Sequence, residues 1–227
     1  MSALDATLEA EIDRLWDVAQ LRIKSGGAGS LFNGQVFSAD YITKSHICGH
    51  MTEFRRIVAQ ISRPELYEVL GLRPLAVCGV LQCVSGVVIG RRHTGAIYQA
   101  GMWQLPPAGS VDAGAVRIDG SIDLAGQLLK ELREELGISA SLVDRPTPLC
   151  LVEHPGTHIS DLGMAMTTAL DAAAVLAMHR VGGNNEYDPL LVVAKADVQA
   201  FVRRAGSKLV PPAVEFLRCG GLLPSQE

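Results

Sequence analysis

Residues 75–84 form a nearly unbroken apolar run that reaches Ser85-Gly86 and resumes as Val87-Val88-Ile89. The alternation of a half-exposed strand is missing, so the two arms read as a β-hairpin turning at Ser85-Gly86, with one heavily buried strand. Such a strand needs cover on both faces, which demands a sheet with further elements packed on it. A membrane span is the wrong reading, because Gly79, Gln82, Ser85 and Gly86 interrupt the stretch and Arg91-Arg92-His93 follow it.

The remaining chain supplies that cover. Residues 123–136 carry Leu124, Ala125, Leu128, Leu129, Leu132 and Leu136 at helical spacing and predict a strong amphipathic helix. Strands are expected at 148–153, 164–170 and 190–194, a Gly-Gly-Asn-Asn loop at 182–185, and a helix at 197–205. Before the hairpin, residues 3–24 repeat apolar side chains every three or four positions as a helix would. A small-residue break follows at 25–30, then one or two short strands within 35–47 and a helix within 52–61. The pattern is α/β: a mixed β-sheet sandwiched between helices (74–227, with C-terminal helices), preceded by a small α+β accessory region (1–73).

Composition narrows the partners. Of 227 residues, 48% are hydrophobic and 19% charged, which is enough apolar material for a core and too little charge for disorder. Twenty Lys and Arg against 24 Asp and Glu leave a formal charge of −4, so no overall positive field draws the chain to nucleic acid or an anionic membrane. Five cysteines without a C-x-x-C pair fit reduced thiols in a cytoplasm. The first sixteen residues are acidic and amphipathic rather than a signal peptide. The expected partner is a small molecule, with no nucleic acid and no membrane, and the apolar stripe of 3–24 leaves a homodimer contact open.

The chemistry is carried by the end of the 123–136 helix. Glu131, Glu134 and Glu135 stand at i, i+3 and i+4, on one side of the last turn, before Gly137 ends the helix. Stability would not choose this, because acids at the negative end of a helix cost about 0.3–1 kcal/mol each. Repulsion between like charges one turn apart adds about 0.2–0.5 kcal/mol. An oxygen cluster of this kind suits a hard divalent cation such as Mg²⁺, which takes a few carboxylates, waters and phosphate oxygens. On spacing alone, a solvated acidic face explains the pattern about as well.

With the Gly/Pro-rich loop at 105–109 ahead of this helix, the sequence resembles the Nudix hydrolases, whose box reads G-x5-E-x7-R-E-U-x-E-E-x-G-U with U a bulky aliphatic. Residues 130–138, Lys-Glu-Leu-Arg-Glu-Glu-Leu-Gly-Ile, match its second half except that Lys130 replaces arginine. With Gly109 as the opening glycine, Ala115 falls where the first glutamate belongs, and 14 residues separate it from Lys130 where the family has seven. An insertion around residues 116–120 restores the register. Trp103 to Gly109 is also similar to the family's lead-in, and the resemblance extends over residues 75–205.

The resemblance implies that Glu134 and Glu135 bind Mg²⁺ or Mn²⁺, that Glu131 binds metal or helps activate water, and that Lys130 stands in for the arginine that holds these acids. It implies hydrolysis of the diphosphate linkage in a nucleoside diphosphate conjugate, nucleotide sugars among them: a pyrophosphatase. The missing first glutamate keeps an alternative open, a Nudix-fold nucleotide-binding or regulatory protein without catalysis. Asp112, Asp119 or Asp123 could replace it. Glu153 and Glu186 are candidates for an added base, and Arg91 and Arg92 for phosphate contacts, though solvated side chains explain each as well. Tyr98 and Tyr187 could stack on a ring, and Trp103 is expected to pack on the sheet. His154 and His158 flank a Pro-Gly turn that denies them a helical zinc geometry and makes them loop residues. Residues 31–54 are similar to the accessory segment of larger Nudix proteins, UDP-sugar hydrolases included.

Overall fold

The structure, a computed structural model, describes residues 4–26 and 30–224. Its elements run α1 (Ala6–Ser25), β1 (Gln35–Ile42), β2 (Ile47–Glu53), α2 (Phe54–Ser62), the single turn α3 (Tyr67–Leu70), β3 (Leu75–Cys83), β4 (Gly86–Arg92), β5 (Trp103–Gln104) and β6 (Ala108–Ser110). There follow α4 (Leu124–Leu136), β7 (Thr147–Glu153), β8 (Ser160–Thr167), α5 (Ala172–Gly182), β9 (Tyr187–Val193), α6 (Val198–Ala205) and α7 (Pro211–Cys219).

The buried run is β3, the spine of a mixed seven-stranded sheet. It lies parallel to β8 from Leu75 opposite Ser160 to Gln82 opposite Thr167. Its other edge is shared, with β4 pairing at Gln82 and Cys83 and β6 at Ala76 to Cys78. Strand β7 flanks β8, and β5 and β9 extend the sheet from β4. Successive β3 side chains point to opposite layers. Val77 and Leu81 meet Leu128, Leu132 and Leu136 of α4, while Cys78 and Val80 meet Phe201 of α6 and Phe216 of α7. Each of these three leucines is 0% exposed, worth roughly 1.5–3 kcal/mol of burial, so the helix is fixed as a rigid body against the sheet.

Three expectations shift. Cys83 pairs with Gly86, so the hairpin turns at Val84-Ser85, one residue early. Strand β8 starts at Ser160 rather than 164 and ends at Thr167, because the parallel ladder with β3 overrides the weak strand propensity of Asp161 and Gly163. Helix α5 replaces an expected connection. Asp171 caps it by accepting from the Ala174 amide at 2.8 Å, but Val175 is its one buried residue, so its sequence carries little periodicity.

The first 70 residues build a smaller core. Ile12 and Leu15 of α1 meet Ile57 and Ala59 of α2, Val36 of β1, and Leu70 and Leu72. Arg55 pairs with Glu9 and Asp13, each at 2.8 Å, and Arg56 with Glu9 at 2.7 Å. The α1 stripe proposed for a dimer contact is thus covered within its own chain. Strand β1 is tied to the larger unit by Phe37 N–H to Val111 O and Ala39 N–H to Arg73 O, both 2.8 Å. Ala3 and residues 27–29 of the small-residue break lie outside the described residues. All five cysteines are free. No described helix is long and apolar enough to cross a membrane.

Candidate functional site

Helix α4 is delimited at both ends by its own sequence. The Asp123 carboxylate accepts from the Gly126 amide at 3.0 Å, capping the start. Gly137, at φ 67°, takes the left-handed conformation that ends the helix. Ahead of the cap, residues 116–122 make a closed excursion: Val116 bridges Ile122, and the Asp123 amide donates to Ala115 O at 2.8 Å. Removing this excursion joins Ala115 to Asp123 and leaves seven residues, 123–129, before Lys130. The inserted segment therefore leaves the line of the box, and Ile118 at its tip is fully exposed.

The last two turns of α4 press two carboxylates onto β6. Glu135, 1% exposed, accepts from the Ala108 amide at 3.0 Å through Oε2. Its Oε1 is buried without a partner. Glu131, one turn earlier, lies against Gly109, where a Cβ would collide with its carboxyl group, so only glycine fits there. Gln127 donates to Glu131 Oε1 at 2.6 Å. Glu134, third of the set, is exposed and lines the outer wall of the same groove.

A fourth carboxylate arrives from elsewhere. Glu186, at the entry to β9, is anchored by its own carbonyl, which accepts from the His93 amide at 2.8 Å, and its side chain lines the groove beside Glu131 and Glu134. Burial raises the Glu131 pKa from 4.5 to about 7, the Gln127 hydrogen bond lowers it, and the Glu134 and Glu186 charges raise it. Burial likewise pushes Glu135 well up, helped by Glu186 and Glu131 and opposed by the Ala108 amide and Arg92. Glu186 is raised by burial and lowered by Arg92. Arg92 is thus the cation that faces this cluster, with its guanidinium bound to Gln104, which also accepts from the buried Tyr187 hydroxyl at 3.0 Å.

The other expected residues separate clearly. Lys130 reaches past the glutamates to Asp112 Oδ2 at 2.7 Å, so it ties α4 to the β6 loop rather than clamping the acids directly. Asp119 is consumed by Ser121, and Asp123 by its cap and by Arg117 at 2.9 Å. Neither replaces the missing first glutamate, and Ala115 is buried. Glu153 is locked between Arg73 at 2.8 Å and His158 at 2.9 Å, outside the groove. Arg91 turns to the Gly101 carbonyl at 3.0 Å. Trp103 packs edge-on against Phe201. Tyr187 is core, so it offers no stacking face, whereas Tyr98 lines a cavity next to the groove. His154, taken as a loop residue, is 2% exposed and paired with Asp161 at 2.8 Å. Asp161 carries no signal of its own in the sequence, because its partner comes from the far side of a turn.

The groove holds about 600 Å³ and is walled by β6, by Lys130, Glu131 and Glu134 of α4, by Glu186, and by Phe32 and Phe54 of the accessory region. Among the described residues no three His, Cys, Asp or Glu side chains close around a single point. The donor set nonetheless fits a divalent cation chemically. Glu135 offers an orphaned buried oxygen, and burial with the Glu186 and Glu131 charges raises its pKa, a penalty that a 2+ ion would remove. Water and phosphate oxygens would complete such a shell.

Solved structures share this architecture. The DR0079 protein of Deinococcus radiodurans superposes with a TM-score of 0.51 at 16% identity, over 82% of this chain and 98% of that one. The NUDIX domain of Shewanella oneidensis NrtR, complexed with ADP ribose, follows at a TM-score of 0.44 and 16% identity, over 68% and 90%. A C. elegans Ap4A hydrolase binary complex gives 0.44 at 14%, over 64% and 95%. The fold is shared with the DR0079 protein. At these identities the likeness is one of fold alone. No protein-family model matches the chain, and no curated protein sequence does. Helix α4, which carries residues 130–138, is the one that seats Glu131 and Glu135 on β6.

Proposed function

We propose that the chain is a divalent-metal-dependent Nudix hydrolase that cleaves the diphosphate linkage of a nucleoside diphosphate conjugate. The observation that carries this reading is the pair Glu131 and Glu135, one turn apart and seated on Ala108-Gly109, with Glu131 lining the groove and Glu135 buried behind the strand with one oxygen unpaired.

Glu131, held by Gln127 at the groove wall, and Glu135, held behind it by the Ala108 amide, would ligate Mg²⁺ or Mn²⁺ together with Glu134. The bound ion supplies charge neutralisation at phosphoryl oxygens and an acidified water. Glu186, whose pKa burial raises, would serve as the proton acceptor at this groove. Arg92, facing Glu186 and Glu135, offers a guanidinium to the departing phosphate oxygens. Lys130 holds Asp112 and so fixes the loop after β6 against the helix. The accessory region, up to residue 73, contributes Phe32 and Phe54 and closes the groove from above.

The second reading, a nucleotide-binding protein without turnover, is favoured by Ala115 at the first glutamate's place and by the open arrangement of the carboxylates. Release of phosphate or nucleotide from a panel of nucleoside diphosphate conjugates, with Mg²⁺ and then with chelator, separates the two. Metal-dependent turnover supports hydrolysis. Binding with no turnover for any conjugate establishes the second reading.

A further inference from the structure

The groove continues into a second cavity of about 240 Å³, reached past Phe54, Gly109 and Glu186. Its side walls are apolar, made by Ile57 and Ile61 of α2 with Ile97 and Ile159. Its far end is polar, and nothing in the proposed hydrolysis uses it. There His154 and Asp161 are 2% and 8% exposed, with Nε2 and Oδ2 2.8 Å apart. Tyr98 Oη lies 3.1 Å from His154 Nδ1.

The roles in this chain are fixed by chemistry. A carboxylate can only accept, so Nε2 carries the hydrogen, and Nδ1 shares a hydrogen bond with the Tyr98 hydroxyl. Asp161 Oδ2 is thereby consumed and its carboxylate plane set. Its Oδ1 receives no hydrogen bond from a described residue and is not sealed from the cavity that Asp161 lines. A nearly buried carboxylate with one oxygen unused is costly unless something supplies donors to it. A tie between the end of β7 and the start of β8 needs the first oxygen only.

Position supports a ligand contact. Asp161 is in register with Ala76 of β3, which is in register with Ser110 of β6. Two strand spacings, about 10 Å, therefore separate it from the strand on which the glutamates sit. We infer that Asp161 is a specificity-determining acceptor for a hydrogen-bond donor, hydroxyl or amino, on the group attached to the diphosphate. His154 and Tyr98 are its positioning residues. The inference rests on the diphosphate reading of the groove, since that reading places the attached group in this cavity.

The test is calorimetric binding, in chelator so that nothing turns over, of a nucleoside diphosphate hexose, its monodeoxy analogues and its amino-hexose analogue. The proteins compared are the wild type, Asp161→Asn and Tyr98→Phe. Asparagine keeps the acceptor for His154 and turns the second atom into a donor. The wild type is expected to prefer the hydroxyl or amino probe over one monodeoxy analogue by about 10- to 100-fold, the worth of a hydrogen bond to a charged group. That ratio falls to about 2 or less in Asp161→Asn, and in part in Tyr98→Phe, whose ring is unchanged should the first variant not fold. A wild type that binds all probes alike, or not at all, overturns the assignment. So do variants that keep the ratio or weaken every probe equally, as a purely structural role would. Turnover with Mg²⁺ is scored separately. Discrimination without hydrolysis removes the hydrolase reading and keeps Asp161, while hydrolysis with unaltered discrimination in the variants does the reverse.

Discussion

Replacing Glu131 with glutamine removes one ionisation and nearly nothing else, since Gln127 can still donate to the new amide oxygen. The folded-state pKa of about 7 against an ordinary 4.5 is worth about 3 kcal/mol, an upper figure because part of the side chain meets solvent. A raised carboxyl pKa means the folded chain holds the proton more tightly than the unfolded chain. Between pH 4.5 and 7, rising pH therefore strips the proton from the unfolded state first and lowers stability, with the full penalty present above 7. Glu131→Gln has no such penalty. The two proteins should match below about pH 4.5, and near pH 8 the variant should melt roughly 6–12 °C higher in metal-free buffer. Mg²⁺ should then raise the wild type more than the variant, closing the gap. Melting curves across this range, with and without Mg²⁺, decide the matter. Parallel pH profiles for the two proteins would refute the buried, charge-crowded state assigned to Glu131.

Glu135→Gln should lower kcat by about 10²-fold or more in Mg²⁺ assays without lowering the melting temperature, because a buried carboxylate near two others is relieved; a wild-type rate would defeat its role. Gly109→Ala places a Cβ in the Glu131 carboxyl group and should cut turnover comparably while far-UV circular dichroism stays native. Glu153→Gln should leave kcat/KM within about twofold, since Arg73 and His158 hold that side chain away from the groove and such exposed pairs are worth about 0–1 kcal/mol. A large loss there would mean the base was misassigned.

What the sequence disclosed was local. Residues 130–138 fixed a helix end, a left-handed glycine and two acids one turn apart, because all three follow from contacts within a few positions. The buried character of β3 was equally plain, since both of its faces are covered. Tertiary pairings were not legible. Strand β8 takes its length from the ladder with β3, and α5 hides because only Val175 faces the core. Lys130 was placed by analogy with the glutamates, yet Asp112, eighteen residues earlier, is its partner. Asp161 meets His154 across a turn whose Pro-Gly sequence concealed that the ring is buried.

The same distinction bears on the missing first glutamate. Spacing put 14 residues between Ala115 and Lys130, which reads as a broken motif. In three dimensions residues 116–122 loop out and return, and the Ala115 carbonyl is hydrogen-bonded to the very residue that caps the helix, so the break is a detour that leaves α4 where it must be. A carboxylate absent at 115 is brought to the groove from elsewhere by Glu186, which approaches from the loop before β9 and lies beside Glu135. A core that served stability alone would not collect Glu131, Glu135 and Glu186, where burial raises all three pKa values and the Glu186 charge adds to the rise at Glu131 and Glu135, because apolar side chains there would be neutral at worst. A divalent cation held there, as proposed, would convert the repulsion into ligation, and the Glu131 titration tests that conversion before any substrate is known.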